Sequence, residues 1–257
     1  MFLTTLPTWQ AAIVVVVLPT LIAVTGPFAV RRFVRLERLQ TNNEVAGFKF
    51  ATVGVLYAVL LAFVVVVVWQ KYNDAENVVS QEAGALAAIY RISADLPPEH
   101  MKHMHTALDG YLAAVVDKEF VTMMEGGASP EVKLALDGLY AELLDFNPTA
   151  PSDVVNLAEL LRQIVQVTQL RRARLVASQG VVPGVLWATL VIGAFATLAF
   201  TLFFGTPNVR AQAMMTGILS ILLFCGLLIV VSFDHPFSGP VRVKPHALLA
   251  IKSDFMK

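Results

Sequence analysis

Apolar residues fill four long runs of this chain, and polar residues dominate the part between the second run and the third. The runs cover residues 9–30, 45–69, 181–204 and 211–233. A helix of about 20 residues crosses the hydrocarbon core of a bilayer, so each run is long enough to span it. The pattern predicts four transmembrane helices, and the short turn at residues 205–208 predicts that the last two form an antiparallel hairpin.

The polar part, residues 71–180, has apolar positions that recur every three or four residues, which is the period of a helix with one buried face. It contains no alternating strand pattern and no hairpin signal. The second run enters this part without a helix-breaking residue, so one helix is expected to cross the membrane and continue into water. One predicted apolar face consists of Met101, Met104, Leu108, Tyr111, Leu112 and Val115.

These patterns predict an all-α integral membrane protein with a helical extramembrane domain. Residues 1–70 hold transmembrane helices one and two, and residues 71–180 form a soluble helical domain that continues the second helix. Residues 181–233 hold transmembrane helices three and four. Residues 234–257 form a C-terminal tail, which its prolines and glycine keep extended as far as Pro245.

Composition supports a membrane protein and excludes a nucleic-acid-binding one. Only 15% of the residues are charged, against about a quarter in soluble proteins, and 56% are hydrophobic. The formal net charge is 0, and no basic region with interleaved aromatic residues occurs. The single cysteine, Cys225, lies in an apolar run and cannot form an intramolecular disulfide.

Motifs of enzymes and metal sites are absent from the sequence. His100 and His103 share a helix surface beside Glu99, but a structural zinc site needs four ligands and no partner cluster is visible. There is no phosphate-binding glycine loop, nucleophile elbow or HExxH motif. We therefore predict no enzyme activity, no metal and no cofactor. A membrane enzyme would need a clustered polar site among His100, His103, Glu82 and Asp234.

Three residues of the second span have the spacing of a pore constriction. Val55, Val59 and Phe63 recur every four residues and share one helix face. Around a symmetry axis they would form three apolar rings that could gate a pore by dewetting. Packing against lipid or against another helix would use the same spacing. Tyr57 lies mid-membrane, so its hydroxyl either bonds a neighbouring helix or faces a wet path.

Acidic residues follow the second span along the same helix. Glu76 and Glu82 could ring a vestibule and bias the entry of ions, as rings of charge do in channels. Solvated side chains or salt bridges between subunits would explain them equally well.

Positive charge gives the orientation of the chain only weakly. Four spans place both termini and the soluble domain on one side of the membrane. Arginines of the first loop favour a cytoplasmic position for that loop, which would place the soluble domain on the other side. Basic residues at the membrane boundaries of the soluble domain favour, slightly more strongly, a cytoplasmic position for the domain. A cytoplasmic domain is the resulting expectation.

Several segments resemble those of bacterial bestrophin-like membrane proteins, over nearly the whole chain. They are NEVAGF at 43–48, GVLYA at 54–58, LAF at 61–63, WQKYNDA at 69–75, EA at 82–83, YR at 90–91 and FDHPFSGP at 233–240. The similarity to bestrophins themselves is more distant. It places their hydrophobic neck on Val55, Val59 and Phe63. It also shows Val64-Val65 where they have Arg-Asn, and Glu76 where they have an arginine.

The resemblance implies a multi-pass protein of the bacterial inner membrane with its helical domain in the cytoplasm. Bestrophins are homopentameric ion channels. The resemblance therefore implies a homo-oligomer, for which a pentamer is one option, and it implies that this oligomer contacts lipid and conducts small inorganic ions. The apolar residues after the neck leave anion preference open. The function expected is an ion channel lined by the second span. The alternative is a non-conducting membrane protein whose helical domain binds a soluble partner or senses a ligand.

Overall fold

All regular structure in the computed structural model is helical, and no strand occurs among the residues it describes, which are 7–41, 43–239 and 241–255. The all-α prediction is confirmed. The α-helices are α1 (Thr8–Ala12), α2 (Leu18–Phe33), α3 (Leu36–Gln40), α4 (Asn43–Ser93), α5 (Pro98–Ala114), α6 (Phe120–Met124), α7 (Pro130–Leu144), α8 (Pro151–Ala177), α9 (Gly184–Thr201), α10 (Val209–Phe233) and α11 (His246–Phe255). π-helical turns join α1 to α2 (Ile13–Val17) and α5 to α6 (Val115–Glu119).

Four helices of the described chain are long and apolar enough to cross a membrane. They are Trp9–Phe33, Asn43–Ser93, Gly184–Thr201 and Val209–Phe233. The prediction of four spans is confirmed. The second is one helix of 51 residues, because no proline or glycine pair interrupts it after the apolar run.

The chain divides into two compact units. We call the first the membrane unit, which comprises Met1–Gln70, Gly180–Asp234 and Gly239–Val241. The second, the helical unit, comprises Lys71–Gln179, His235–Ser238 and Arg242–Lys257. Helix α4 contributes its first part to the membrane unit and its remainder to the helical unit.

The membrane unit has a small core in which glycines let helices approach closely. Buried side chains of α4, α9 and α10 form it, among them Val68, Leu190 and Val230. A Cβ atom on Gly193 of α9 would lie 2.6 Å from the ring of Tyr57, and a Cβ on Gly226 of α10 would lie 2.6 Å from Cδ2 of Leu61. Small residues at such contacts are the usual means of packing helices in a membrane.

The turn between α9 and α10 is fixed by side chains from earlier in the chain. Asn43 donates from Nδ2 to the Gly205 carbonyl oxygen at 2.8 Å and accepts from the Gly205 amide at 3.0 Å. Arg31 donates to the Thr206 carbonyl oxygen. Asn208 caps α10 by accepting from the amides of its first turn. The predicted hairpin turn is therefore tied to α2 and to the start of α4.

The helical unit has a larger core, which lies between α4, α5, α7 and α8. The face predicted for α5 is buried from Met104 to Val115, while Met101 at its start is only partly buried. Helix α7 contributes Leu139 and Leu143, and α8 contributes Leu160 and Ile164. Because these positions repeat every three or four residues, each helix turns one apolar stripe inward.

The tail begins without regular structure and ends in a helix. The Val243 amide donates to the Pro236 carbonyl oxygen at 2.8 Å, so the middle of the tail is bonded to its first residues. Helix α11 starts at His246, and the described residues 235–245 belong to no helix, as expected. The tail is not extended throughout, because the Ser238 amide donates to the His235 carbonyl oxygen at 3.1 Å and closes a turn. Pro240, the last residue of the motif that begins at 233, lies outside them.

Candidate functional site

The predicted neck residues share the open face of α4 in the membrane unit. Val55 is 62% exposed, Val59 49% and Phe63 69%, although all three are apolar. Val64 and Val68, on the other side of the helix, are buried. The open face is thus centred on these three residues. A pore neck and a lipid-facing surface both require such a face, so their role as a gate stays a prediction.

Tyr57 lies on the packed side of α4. It is 5% exposed, and its hydroxyl donates to the Leu190 carbonyl oxygen of α9 at 3.0 Å. The hydroxyl thus bonds a neighbouring helix, which was one of the two expected environments. The inclusion of Tyr57 among the pore residues is corrected, because its side chain does not share the face of Val55, Val59 and Phe63.

The two acidic residues expected to line a vestibule have different environments. Glu76 is exposed. Glu82 is completely buried inside the helical unit, where it pairs with Arg174. The expectation of a vestibule charge at Glu82 is wrong, because a carboxylate without solvent contact cannot face an aqueous path.

Arg174 of α8 is the centre of a buried charge cluster. Its Nε lies 2.7 Å from Oε2 of Glu82, and its Nη2 lies 3.1 Å from Oε1 of the same carboxylate. Nη2 also donates to Oε2 of Glu119 at 2.8 Å. Glu82, Glu119 and Arg174 are all 0% exposed. One guanidinium therefore connects α4 to the π-helical turn after α5.

Two more side chains complete the cluster. Arg171 donates from Nε to both oxygens of Glu119 at 3.0 and 3.1 Å, and the Tyr111 hydroxyl donates to Oε1 of Glu82 at 2.8 Å. Two arginines balance two carboxylates, so the cluster is neutral. Such burial is tolerated only when every charge is paired and hydrogen-bonded.

The electrostatics of the cluster keep the Tyr111 hydroxyl and the Arg174 guanidinium protonated. Burial raises the pKa of Tyr111 well above its usual value, and the negative charge of Glu82 raises it further. Burial alone would lower the pKa of Arg174, but the charge and hydrogen bond of Glu82, together with Tyr111 and Glu119, more than compensate, so the net shift is upward. The phenol stays protonated and the guanidinium stays charged, which suits a structural clamp better than a proton-transfer site.

Sequence reasoning missed this cluster, although one signal was present. Glu82 falls within a stripe of buried residues with helical spacing, which includes Val79, Leu86 and Ile89. A charged residue inside such a stripe points to a buried partner. Nothing local identifies that partner, because Arg174 lies on another helix 92 residues away.

Asp234 anchors the start of α9 to the end of α10. Its Oδ1 accepts from the amides of Val181 at 2.9 Å and Val182 at 2.8 Å, and its Oδ2 accepts from Nε1 of Trp187 at 3.3 Å. Asp234 is 4% exposed. The aspartate of the FDHPF motif thus fixes the entry of the third span.

The histidines of α5 make ordinary contacts. The His100 ring packs edge-on against Phe146, with the ring centroids 5.0 Å apart. Nδ1 of His103 lies 3.6 Å from Oε2 of Glu142. In the part of the chain that the structure describes, no three His, Cys, Asp or Glu side chains come together as a metal site.

Comparisons with known proteins agree with this architecture. The family model of the bestrophin-like domain matches residues 17–248. The crystal structure of a membrane protein, a single-substitution variant, superimposes with a TM-score of 0.69 at 14% identity, over 93% of this chain and 96% of that one. At that identity the likeness shows the fold alone. No curated protein matches the chain. Because the family model covers most of its length, the chain belongs to the bestrophin-like family of membrane proteins.

Proposed function

We propose that this protein is a homo-oligomeric ion channel whose pore is lined by α4, with a hydrophobic neck at Val55, Val59 and Phe63. The observation that supports this proposal is the open apolar face of α4 in the membrane unit, on which these three side chains are 62%, 49% and 69% exposed. Copies of that face around an axis would form consecutive apolar rings, which exclude water and ions until the pore widens. The resemblance to bestrophins, which are channels, points the same way.

An acidic residue near the start of α4 lies on the same face as the neck and offers a means of selecting ions. Glu44 is exposed and lies about three helical turns before Val55, on the same side of α4. A ring of these carboxylates would concentrate cations at one end of the neck. We therefore expect cations to carry the current, and Glu44→Gln should reduce that preference.

The proposal is tested by current through the purified full chain in a planar bilayer under asymmetric KCl. A reproducible single-channel current would establish the pore, and the sign of the reversal potential would identify the ion. Alanine at Val55, Val59 or Phe63 should raise the basal current, because each change widens an apolar ring. Ile192→Ala is the matched control, since Ile192 is 67% exposed on α9. Unchanged conductance and gating in all three neck variants would refute the neck.

Orientation in the membrane belongs to the same proposal. We place the helical unit in the cytoplasm of a bacterium, with the spans in the inner membrane. A Cys225→Ser chain that carries Lys133→Cys in the helical unit tests this placement, because Lys133 is exposed. A maleimide that cannot cross membranes should label it only after the cells are opened.

A second candidate is a non-conducting membrane protein whose helical unit binds a soluble partner. Leu134 and Leu144 of α7 favour it, since they are 70% and 74% exposed. A folded, oligomeric preparation that carries no current, with α4 packed dry in its centre, would support this candidate over the channel.

A further inference from the structure

A cleft of about 570 Å³ opens on the helical unit between α4 and the segment that leads into α11. Pockets of this size accommodate small organic ligands. Its polar lining includes Glu76, Asn77 and Ser80 of α4 and Arg242 and Lys244 of the tail.

The tail side of the cleft presents two cations, Arg242 and Lys244, on either side of Val243. All three residues line the cleft; Val243 is 4% exposed, whereas the side chains of Arg242 and Lys244 are exposed. The hydrogen bond from the Val243 amide to the Pro236 carbonyl oxygen holds this segment in place.

In the part of the chain that the structure describes, no carboxylate pairs with these cations. Glu76 is the one carboxylate in the lining, and it comes from α4. In the described part of the chain neither Arg242 nor Lys244 has a carboxylate oxygen within 4.0 Å. The sulfur of Met124 accepts from Nη1 of Arg242 at 3.2 Å, which orients the guanidinium without compensating its charge. The cleft therefore has an excess of positive charge.

We propose that this cleft binds a phosphate ester that also carries a hydroxyl or amino group. A guanidinium and an ammonium in one cleft are groups that recognise phosphate, the first through paired hydrogen bonds and the second as a point charge. Asn77 and Ser80 add neutral hydrogen-bonding groups from α4. The Glu76 carboxylate repels phosphate but accepts a hydrogen bond from a hydroxyl or amine, so it selects for the rest of the ligand.

The same chemistry is offered by a soluble phosphate ester and by the headgroup of an anionic phospholipid. The test separates these sources with the full chain in a neutral detergent. One arm adds glycerol 3-phosphate or adenosine monophosphate, and the other adds phosphatidylglycerol, each compared with KCl at equal ionic strength. Isothermal titration calorimetry gives the affinity, and the rise in unfolding temperature gives an independent measure. No current is recorded, so the outcome does not depend on the proposed channel.

Variants decide whether binding takes place in the cleft. Arg242→Gln combined with Lys244→Gln should weaken binding by about tenfold or more, because each contributes a charged hydrogen bond. The matched control is Arg172→Gln combined with Lys133→Gln, which removes the same charges from exposed positions elsewhere in the helical unit. Glu76→Gln should weaken binding of adenosine monophosphate while tightening that of inorganic phosphate.

Saturable binding in either arm that the cleft variant loses and the control keeps would support the proposal, and the arm in which it occurs would identify the source. No binding beyond that of KCl in both arms would overturn it. Equal losses in the cleft variant and the control would also overturn it, because general electrostatic attraction would then explain the affinity.

Discussion

Removing Arg174 should destabilise the helical unit more than any change at its surface. Arg174→Gln deletes the guanidinium that pairs with Glu82 and also bonds Glu119. Arg171 remains for Glu119, but Glu82 retains only the Tyr111 hydroxyl. A neutral cluster thus becomes a buried group with one carboxylate too many.

The expected magnitude follows from the burial of all three charged groups. Removing one partner of a fully buried ion pair lowers the free energy of unfolding by about 3–5 kcal/mol, since the remaining charge is left without compensation. That is a large part of the roughly 5–15 kcal/mol by which a domain is stable. For a unit of this size it corresponds to a fall of about 10 °C or more in the unfolding temperature.

Two probes follow the two units separately. The tryptophans, Trp9, Trp69 and Trp187, all belong to the membrane unit, so their fluorescence reports on that unit. Hydrogen exchange in peptides from α5 and α8 reports on the helical unit. Arg174→Gln should lower protection in those peptides at temperatures at which the fluorescence is still native.

The control is Arg162→Gln on the same helix, which breaks the exposed pair with Glu159. It should change the unfolding temperature little, because solvent already screens that pair. Combining Arg174→Gln with Glu82→Gln leaves one arginine with one carboxylate and should recover part of the lost stability. If Arg174→Gln unfolds like the wild type, or if the double variant is less stable than Arg174→Gln alone, the charge-balance argument is wrong.

Four further substitutions are predicted to change stability, each measured by thermal or pH-dependent unfolding. Gly193→Ala should destabilise the membrane unit, because its Cβ would lie 2.6 Å from the Tyr57 ring, whereas Gly138→Ala, with open space around it, should stabilise α7 by about 0.5–1 kcal/mol. Tyr57→Phe should cost about 0.6–1 kcal/mol, the value of its hydrogen bond to the Leu190 carbonyl oxygen. Folding raises the pKa of Tyr111, so the stability that its protonated phenol contributes is complete below about pH 10 and is lost as the pH rises further. Tyr111→Phe should reduce this loss of stability at alkaline pH.

Periodic features of the fold could be predicted from the sequence, and long-range pairs could not. The four spans follow from run length, and the buried face of α5 follows from its spacing of three and four residues. Glu82 was misplaced because a carboxylate on a long helix usually faces solvent. Its burial depends on Arg174, which only the folded chain brings within 2.7 Å. The surroundings of Val55 and Phe63 depend on neighbouring molecules, which a pattern within one chain does not encode.

The π-helical turn at Val115–Glu119 has a consequence for how chains of this kind vary in length. A π turn accommodates one residue more than an α turn, so the buried faces of α5 and α6 continue on one side despite the extra residue. Loss of one exposed residue here, such as Asp117, would restore a regular α-helix and leave Phe120 in its place. A related chain that is one residue shorter at this point is therefore expected to keep the same core, and an alignment gap here would record a tolerated deletion rather than a change of fold.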